Sequence, residues 1–94
     1  MPSISITRRH KLDHKQAKAA ARKVAKDLDK RFGLACRWDG DEVAFNGAGV
    51  SGTMHVGKSQ IRLDVELSFL LIALKGTLER HINKELDAAL KDEA

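Results

Sequence analysis

The sequence predicts an α+β fold, a two-layer sandwich of order β-α-β-β-β-β-α in which an antiparallel meander carries both helices on one face. Three observations predict it. Two pairs of segments alternate apolar and polar residues about short turns, and each pair makes a sheet with one apolar and one polar face. A capped amphipathic helix precedes them, and a second apolar stripe at helical spacing follows. One apolar sheet face and two apolar helix stripes bury the most surface when stacked together. The 94 residues leave little room for a second core, so 1–94 is expected to be a single domain with a polar tail from about residue 91.

The first strand is marked by Ile4 and Ile6 alternating with Ser3, Ser5 and Thr7. Asp13 then stands three residues before Gln16, with Leu12 just outside and Ala17 just inside. A capping box and a hydrophobic staple therefore coincide at a helix start. Ala17, Ala20, Ala21, Val24, Leu28 and Phe32 follow one helical face, and lysines and arginine take the other. Gly33 supplies the left-handed residue that ends the helix near Phe32.

Leu34, Cys36 and Trp38 alternate with Ala35 and Arg37 before Asp39-Gly40, a hairpin signal followed by Val43 and Phe45. Pairing Trp38 with Asp41 across that turn sets Cys36 opposite Val43, Leu34 opposite Phe45 and Arg37 opposite Glu42. A second turn at Lys58-Ser59 sets Val56 opposite Ile61, Met54 opposite Leu63 and Gly52 opposite Val65. Its polar face holds His55 beside Arg62, Thr53 beside Asp64 and Ser51 beside Glu66. The short link Asn46-Gly47-Ala48-Gly49 joins the hairpins into one meander. Ser68 is placed to cap a final helix carrying Leu70, Leu71, Leu74, Leu78, Ile82 and Ala89 on its core stripe. Phe69, Ile72, Ala73 and Gly76 then project to the opposite side, an apolar surface that asks for a cover.

Composition excludes several function classes. The single cysteine, Cys36, cannot make an internal disulfide framework or a multi-cysteine zinc site and fits a reducing compartment, so the cytoplasm is expected. The apolar run Leu67 to Leu74 is far shorter than the ~20 residues of a membrane helix. The opening Met1-Pro2-Ser3-Ile4-Ser5-Ile6-Thr7 lacks the pattern of a secretory signal, and no export is expected. Residues 1 to 37 hold 11 Lys/Arg against 3 Asp/Glu, whereas residues 38 to 94 hold 6 against 10. The first-helix face of Lys15, Lys18, Arg22, Lys23, Lys26 and Lys30 is thus a candidate anionic-surface or nucleic-acid contact. With no tyrosine, and with Phe32, Trp38 and Phe45 committed to the core or its edge, no base-stacking platform is expected.

No catalytic constellation is legible. Ser51 and His55 share a strand face but stand about 13 Å apart, too far for a hydrogen bond. Asp64 and Glu66 are read as solvated carboxylates without an apolar pocket. His10, His14, His55 and His81 show no metal-ligand spacing, and Asp39-Gly40-Asp41-Glu42 lacks the distal glutamate of a calcium loop, leaving a turn. Cys36 points inward as a small hydrophobe. No catalytic residue, cofactor or metal is expected.

Gly49-Val50-Ser51-Gly52-Thr53 followed by Met54-His55-Val56, then Phe69-Leu70-Leu71 and a C-terminal amphipathic helix, resembles the polyhydroxyalkanoic acid system proteins. The opening Ile4-Ser5-Ile6 with Arg9-His10 and the alanine-rich first helix are similar to that family too, so the resemblance spans nearly the whole chain. It implies a small bacterial protein tied to storage-polyester metabolism, with no known catalytic residues to carry over. The leading expectation is therefore a non-enzymatic accessory protein, cytoplasmic and granule-associated. It would contact a polyhydroxyalkanoate granule, a granule-associated protein or a second copy of itself through Phe69, Ile72, Ala73 and Gly76. The runner-up is a weak nucleic-acid or anionic-surface binder. A carrier of a hydrophobic ligand between sheet and helices is third.

Overall fold

The structure, a computed structural model, describes residues 3–93. Met1 and Pro2 of the opening segment, and Ala94 of the expected tail, lie outside the described residues. The chain runs through β1 (Ile4–Arg9), α1 (His14–Phe32), β2 (Ala35–Asp39), β3 (Glu42–Gly47), β4 (Val50–Val56) and β5 (Gln60–Leu67). A 3-10 segment (Phe69–Leu74) then leads into α2 (Lys75–Glu93). Among the described residues the strands form one sheet of order β1-β5-β4-β3-β2, every neighbour antiparallel.

Local chemistry accounts for α1. Asp13 Oδ1 accepts from the Gln16 backbone N–H at 2.8 Å, and Gln16 Oε1 accepts from the Asp13 N–H at 3.3 Å. Two otherwise orphaned donors are satisfied together, and a cap of this kind is worth about 0.5–2 kcal/mol. At the other end Gly33, at φ 68°, donates its N–H to the Asp29 carbonyl at 2.9 Å. Between these caps Ala17, Ala20, Ala21, Val24 and Leu28 are buried, and the alanines let the helix axis approach the sheet. From α2, Leu78, Ile82, Leu86 and Ala89 join the same core. The sheet contributes Ile4, Ile6, Val43, Phe45, Met54, Val56, Ile61, Leu63 and Val65, so both helices cover one face. Leu86 is fully buried although the sequence reading left it out of the stripe.

The second hairpin has the expected register in full, from Ser51 opposite Glu66 to Val56 opposite Ile61. The first hairpin differs. Asp39 pairs with Glu42, Trp38 with Val43 and Cys36 with Phe45, so the turn is Gly40-Asp41 rather than Asp39-Gly40. A type I′ turn over Asp39-Gly40 needs positive φ at both residues. Among the described residues only glycines take positive φ, and here it is Gly40, at 62°. Glycine therefore takes the first turn position and shifts the partner strand by two residues. Because the pleat has period two, the slip keeps Cys36, Trp38, Val43 and Phe45 on the core face. The expected pairing of Arg37 with Glu42 is lost, since Arg37 faces Ala44. Leu34 precedes the strand and packs in the connection instead, where a Cβ on Gly47 would lie 2.6 Å from its Cδ2.

β1 lies beside β5, with Ile4 opposite Val65 and Ile6 opposite Leu63, so α1 carries the chain from one sheet edge to the other. Arg8 on β1 reaches α2, donating to the Asn83 carbonyl at 3.3 Å and pairing with Asp87. The second glycine of Gly49-Val50-Ser51-Gly52 has a clear steric reason. A Cβ at Gly52 would stand 2.4 Å from the Asp64 carbonyl oxygen and 3.1 Å from Val65 Cα. Only glycine lets β5 pass this close.

Candidate functional site: the apolar segment between sheet and α2

The sequence reading starts one continuous helix at Ser68, and the structure corrects it. Ser68 is extended and makes no side-chain cap. Its backbone N–H donates to the Gly49 carbonyl at 2.8 Å, which ties the chain to the β3–β4 turn, and Leu71 N–H donates back to Ser68 O at 2.9 Å. Leu71 lies over Gly49, where an added Cβ would come 2.8 Å from both Leu71 Cδ1 and Ser68 Oγ. Tethered at that point, residues Phe69–Leu74 wind as a 3-10 helix, and the α-helix begins at Lys75.

The tighter winding decides which side chains are exposed. At three residues per turn, side chains at i and i+3 eclipse, so Phe69 aligns with Ile72 and Leu70 with Ala73. Leu71 is half-buried where it lies over Gly49, and Leu74, one 3-10 turn further on in the same column, is exposed like the other two columns. Phe69 is 89% exposed, Leu70 86%, Leu74 54% and Ile72 48%. Leu70 and Leu74, expected in the core with Leu71, are thus on the surface. Ala73 and Gly76 are exposed as well, and a Cβ on Gly76 would meet nothing within 4 Å, so no packing inside the chain requires glycine there. From Leu67 to Thr77 the sequence holds one charged residue, Lys75. Such a concentration of solvated large apolar side chains in six residues stands out, since single exposed leucines are ordinary but runs are not.

The other candidate face is partly engaged within the fold. Lys18 and Arg22 of α1 stand over the Trp38 ring, at 5.8 and 6.0 Å from its centroid. Lys18 also approaches Asp41 at 3.8 Å, and His14 pairs with the same carboxylate at 2.7 Å. Those contacts close the amphipathic rim over a half-buried tryptophan. Lys15, Lys23, Lys26 and Lys30 are exposed along the same helix. The structure therefore keeps the basic stripe but turns two of its six members to covering Trp38.

The polar sheet face carries a shallow groove of about 440 Å³ lined by Ser51, Thr53, Arg62, Asp64 and Glu66 among others. Asp64 accepts from Ser5 Oγ at 2.7 Å and from Arg62 Nε at 3.1 Å, so it is already occupied as a hydrogen-bond acceptor. Between sheet and helices, where a carried ligand would sit, Met54, Ile61, Leu63, Ile82 and Leu86 are fully buried. The Cys36 thiol donates to the Ala25 and Leu34 carbonyls at 3.4 Å each. Burial, with the negative charge of Asp29 adding to it, pushes this thiol up and away from the reactive thiolate.

One polar constellation escaped the sequence reading. His81 Nε2 on α2 meets Asp27 Oδ2 on α1 at 2.7 Å, and Arg31 Nε donates to Asp27 Oδ1 at 2.8 Å. Burial pushes the Asp27 carboxyl up, but the hydrogen bonds and positive charge of His81 and Arg31 outweigh it and hold the carboxyl below its ordinary value. The only sequence signals for this cluster were the four-residue steps from Asp27 to Arg31 and from His81 to Glu85.

Compared with known proteins, the chain is matched over residues 4–90 by the family model described as "Putative polyhydroxyalkanoic acid system protein". The match runs from the first residue of β1 into the last turn of α2. No curated protein and no solved structure gives a significant match.

Proposed function

Because the chain belongs to the polyhydroxyalkanoic acid system protein family, we propose that it is a non-enzymatic accessory protein of storage-polyester metabolism, cytoplasmic and granule-associated, that attaches through its 3-10 segment. The observation that carries this reading is the outward array of Phe69, Leu70 and Ile72 on a segment anchored by Leu71. Ala73 and Gly76 flank the array without obstructing it. Covering Phe69 and the exposed half of Ile72 contributes on the order of 2 to 4 kcal/mol before ordering costs.

The test is co-sedimentation of the purified protein with native polyester granules at low and high salt, using wild type and Phe69→Ser with Ile72→Ser. Apolar attachment requires retention at high salt by wild type and its loss in a variant that still folds. Wild-type retention by the variant would refute the assignment. If wild type is retained at low salt alone, the second reading stands: Lys15, Lys26 and Lys30, with the rest of the α1 stripe, attach it to an anionic surface or nucleic acid.

A further inference from the structure

We propose that Asp27, His81 and Glu85 form a binding site for a zinc-type divalent cation that ties α1 to α2. His81 Nε2 stands 2.7 Å from Asp27 Oδ2 and 4.0 Å from Glu85 Oε1, and the three donor atoms lie within 4.8 Å of one another. The side chains are 16, 20 and 28% exposed for Asp27, His81 and Glu85, so the group is sheltered yet reachable from solvent. Glu85 Oε1 lies 4.0 Å from His81 Nε2, too far for a hydrogen bond and close enough for both to reach a shared cation.

The dimensions suit such an ion. Zinc binds imidazole nitrogen at about 2.0–2.1 Å and carboxylate oxygen at about 2.0–2.2 Å in tetrahedral geometry, which sets neighbouring donors about 3.4 Å apart. The two His81 separations bracket that value and all three donor atoms lie within 4.8 Å, so side-chain movements of up to about 1.4 Å, which also break the His81–Asp27 hydrogen bond, bring the donors onto one centre. Water completes the fourth position from the exposed side. The Phe32 ring meets the His81 ring edge-on at 5.2 Å, bracing the plane of the imidazole. The donor set also selects the ion class: an imidazole nitrogen is a poor ligand for magnesium or calcium and a good one for zinc. Two carboxylates offset the charge of the dication. Arg31 holds the other Asp27 oxygen and opposes the cation electrostatically, while Oδ2 exchanges its hydrogen bond with His81 Nε2 for the ion, any Nε2 proton passing to solvent and the imidazole binding as its neutral form.

The experiment uses the full chain freed of metal by chelation, with zinc titrated by calorimetry and cobalt(II) followed by its visible absorption. One equivalent is expected to bind, with a tetrahedral cobalt spectrum and a melting temperature that rises with zinc concentration. Glu85→Gln should weaken binding at least about tenfold and His81→Asn more, whereas Arg31→Ala should strengthen it. His10→Asn and His55→Asn should leave it unchanged. Glu85→Gln preserves size and hydrogen bonding, so it decides the matter even if His81→Asn fails to fold. No saturable binding below about 1 mM zinc, or undiminished binding by Glu85→Gln, overturns the proposal.

Discussion

Leu74 precedes α2 and Leu86 lies within it, and replacing each with alanine separates two accounts of where α2 begins. If one helix started at Ser68, Leu74 would be a core residue, and its loss would cost about 2 to 5 kcal/mol, as buried leucines do. In the structure it belongs to the 3-10 segment and is 54% exposed, while Leu86 is 0% exposed. Fully burying a leucine is worth about 1.5–3 kcal/mol, and Leu74 realises under half of that, part of which alanine keeps. Leu74→Ala should therefore cost less than about 1 kcal/mol, and Leu86→Ala about 2 to 5 kcal/mol, because it leaves a cavity between α2 and the sheet. Urea unfolding of both variants, compared at equal m-value, gives the two numbers directly. Equal losses, or a larger one at Leu74, would refute the 3-10 geometry and with it the exposure on which the proposed attachment rests.

Gly52→Ala should destabilise the protein by about 1–3 kcal/mol in the same assay, because its methyl group meets the β5 backbone rather than a movable side chain; an unchanged midpoint would show that β4 and β5 are less closely apposed. Cys36 should react with iodoacetamide more slowly than a free thiol between pH 7 and 9, since its raised pKa lowers the thiolate fraction, and denaturation should abolish the protection. The same shift means that the folded chain holds this proton more tightly than the unfolded one. Its stabilising effect is complete below the unfolded thiol pKa and is lost as pH rises through the folded value, so a Cys36→Ala control should flatten the alkaline limb of stability. Lys26→Glu with Lys30→Glu should abolish retention on a polyanion column, and wild-type retention should fall steeply with salt; persistence at about 0.5 M salt would mean that counterion release is not the source.

The features legible in the sequence are those encoded locally. Asp13, Gln16 and Gly33 specify α1 end to end because capping needs only residues within one turn. The β4–β5 register follows from alternation plus one short turn. The β2–β3 register was two residues off because both registers satisfy the alternation, and the choice rests on which residue takes positive φ at Gly40. Leu70 and Leu74 were misplaced for a different reason: spacings of three and four do not tell a 3-10 turn from an α-turn. What separates them is the tether from Ser68 to Gly49, a contact between distant parts of the chain. Phe69, Ile72, Ala73 and Gly76 were recognisable as surplus to one stripe, while the meeting of Asp27 with His81, 54 residues apart, had no local trace.

The sheet order has a consequence for the sequence of events in folding. β2 to β5 pair with near neighbours along the chain, so their ladders close through short loops at small entropic cost. β1 has no such partner: Ser5 and Asp64 meet from positions 59 residues apart, and β5 is the last strand of the sheet to be synthesised. Ile4 and Ile6 must remain uncovered through the synthesis of everything between, and α1, translated just after them, has no sheet to lie on until the hairpins exist. The return of the first strand to the far edge is then the ladder with the largest loop-closure cost, and loss of that strand would leave β5 as an open edge able to recruit a strand from another molecule.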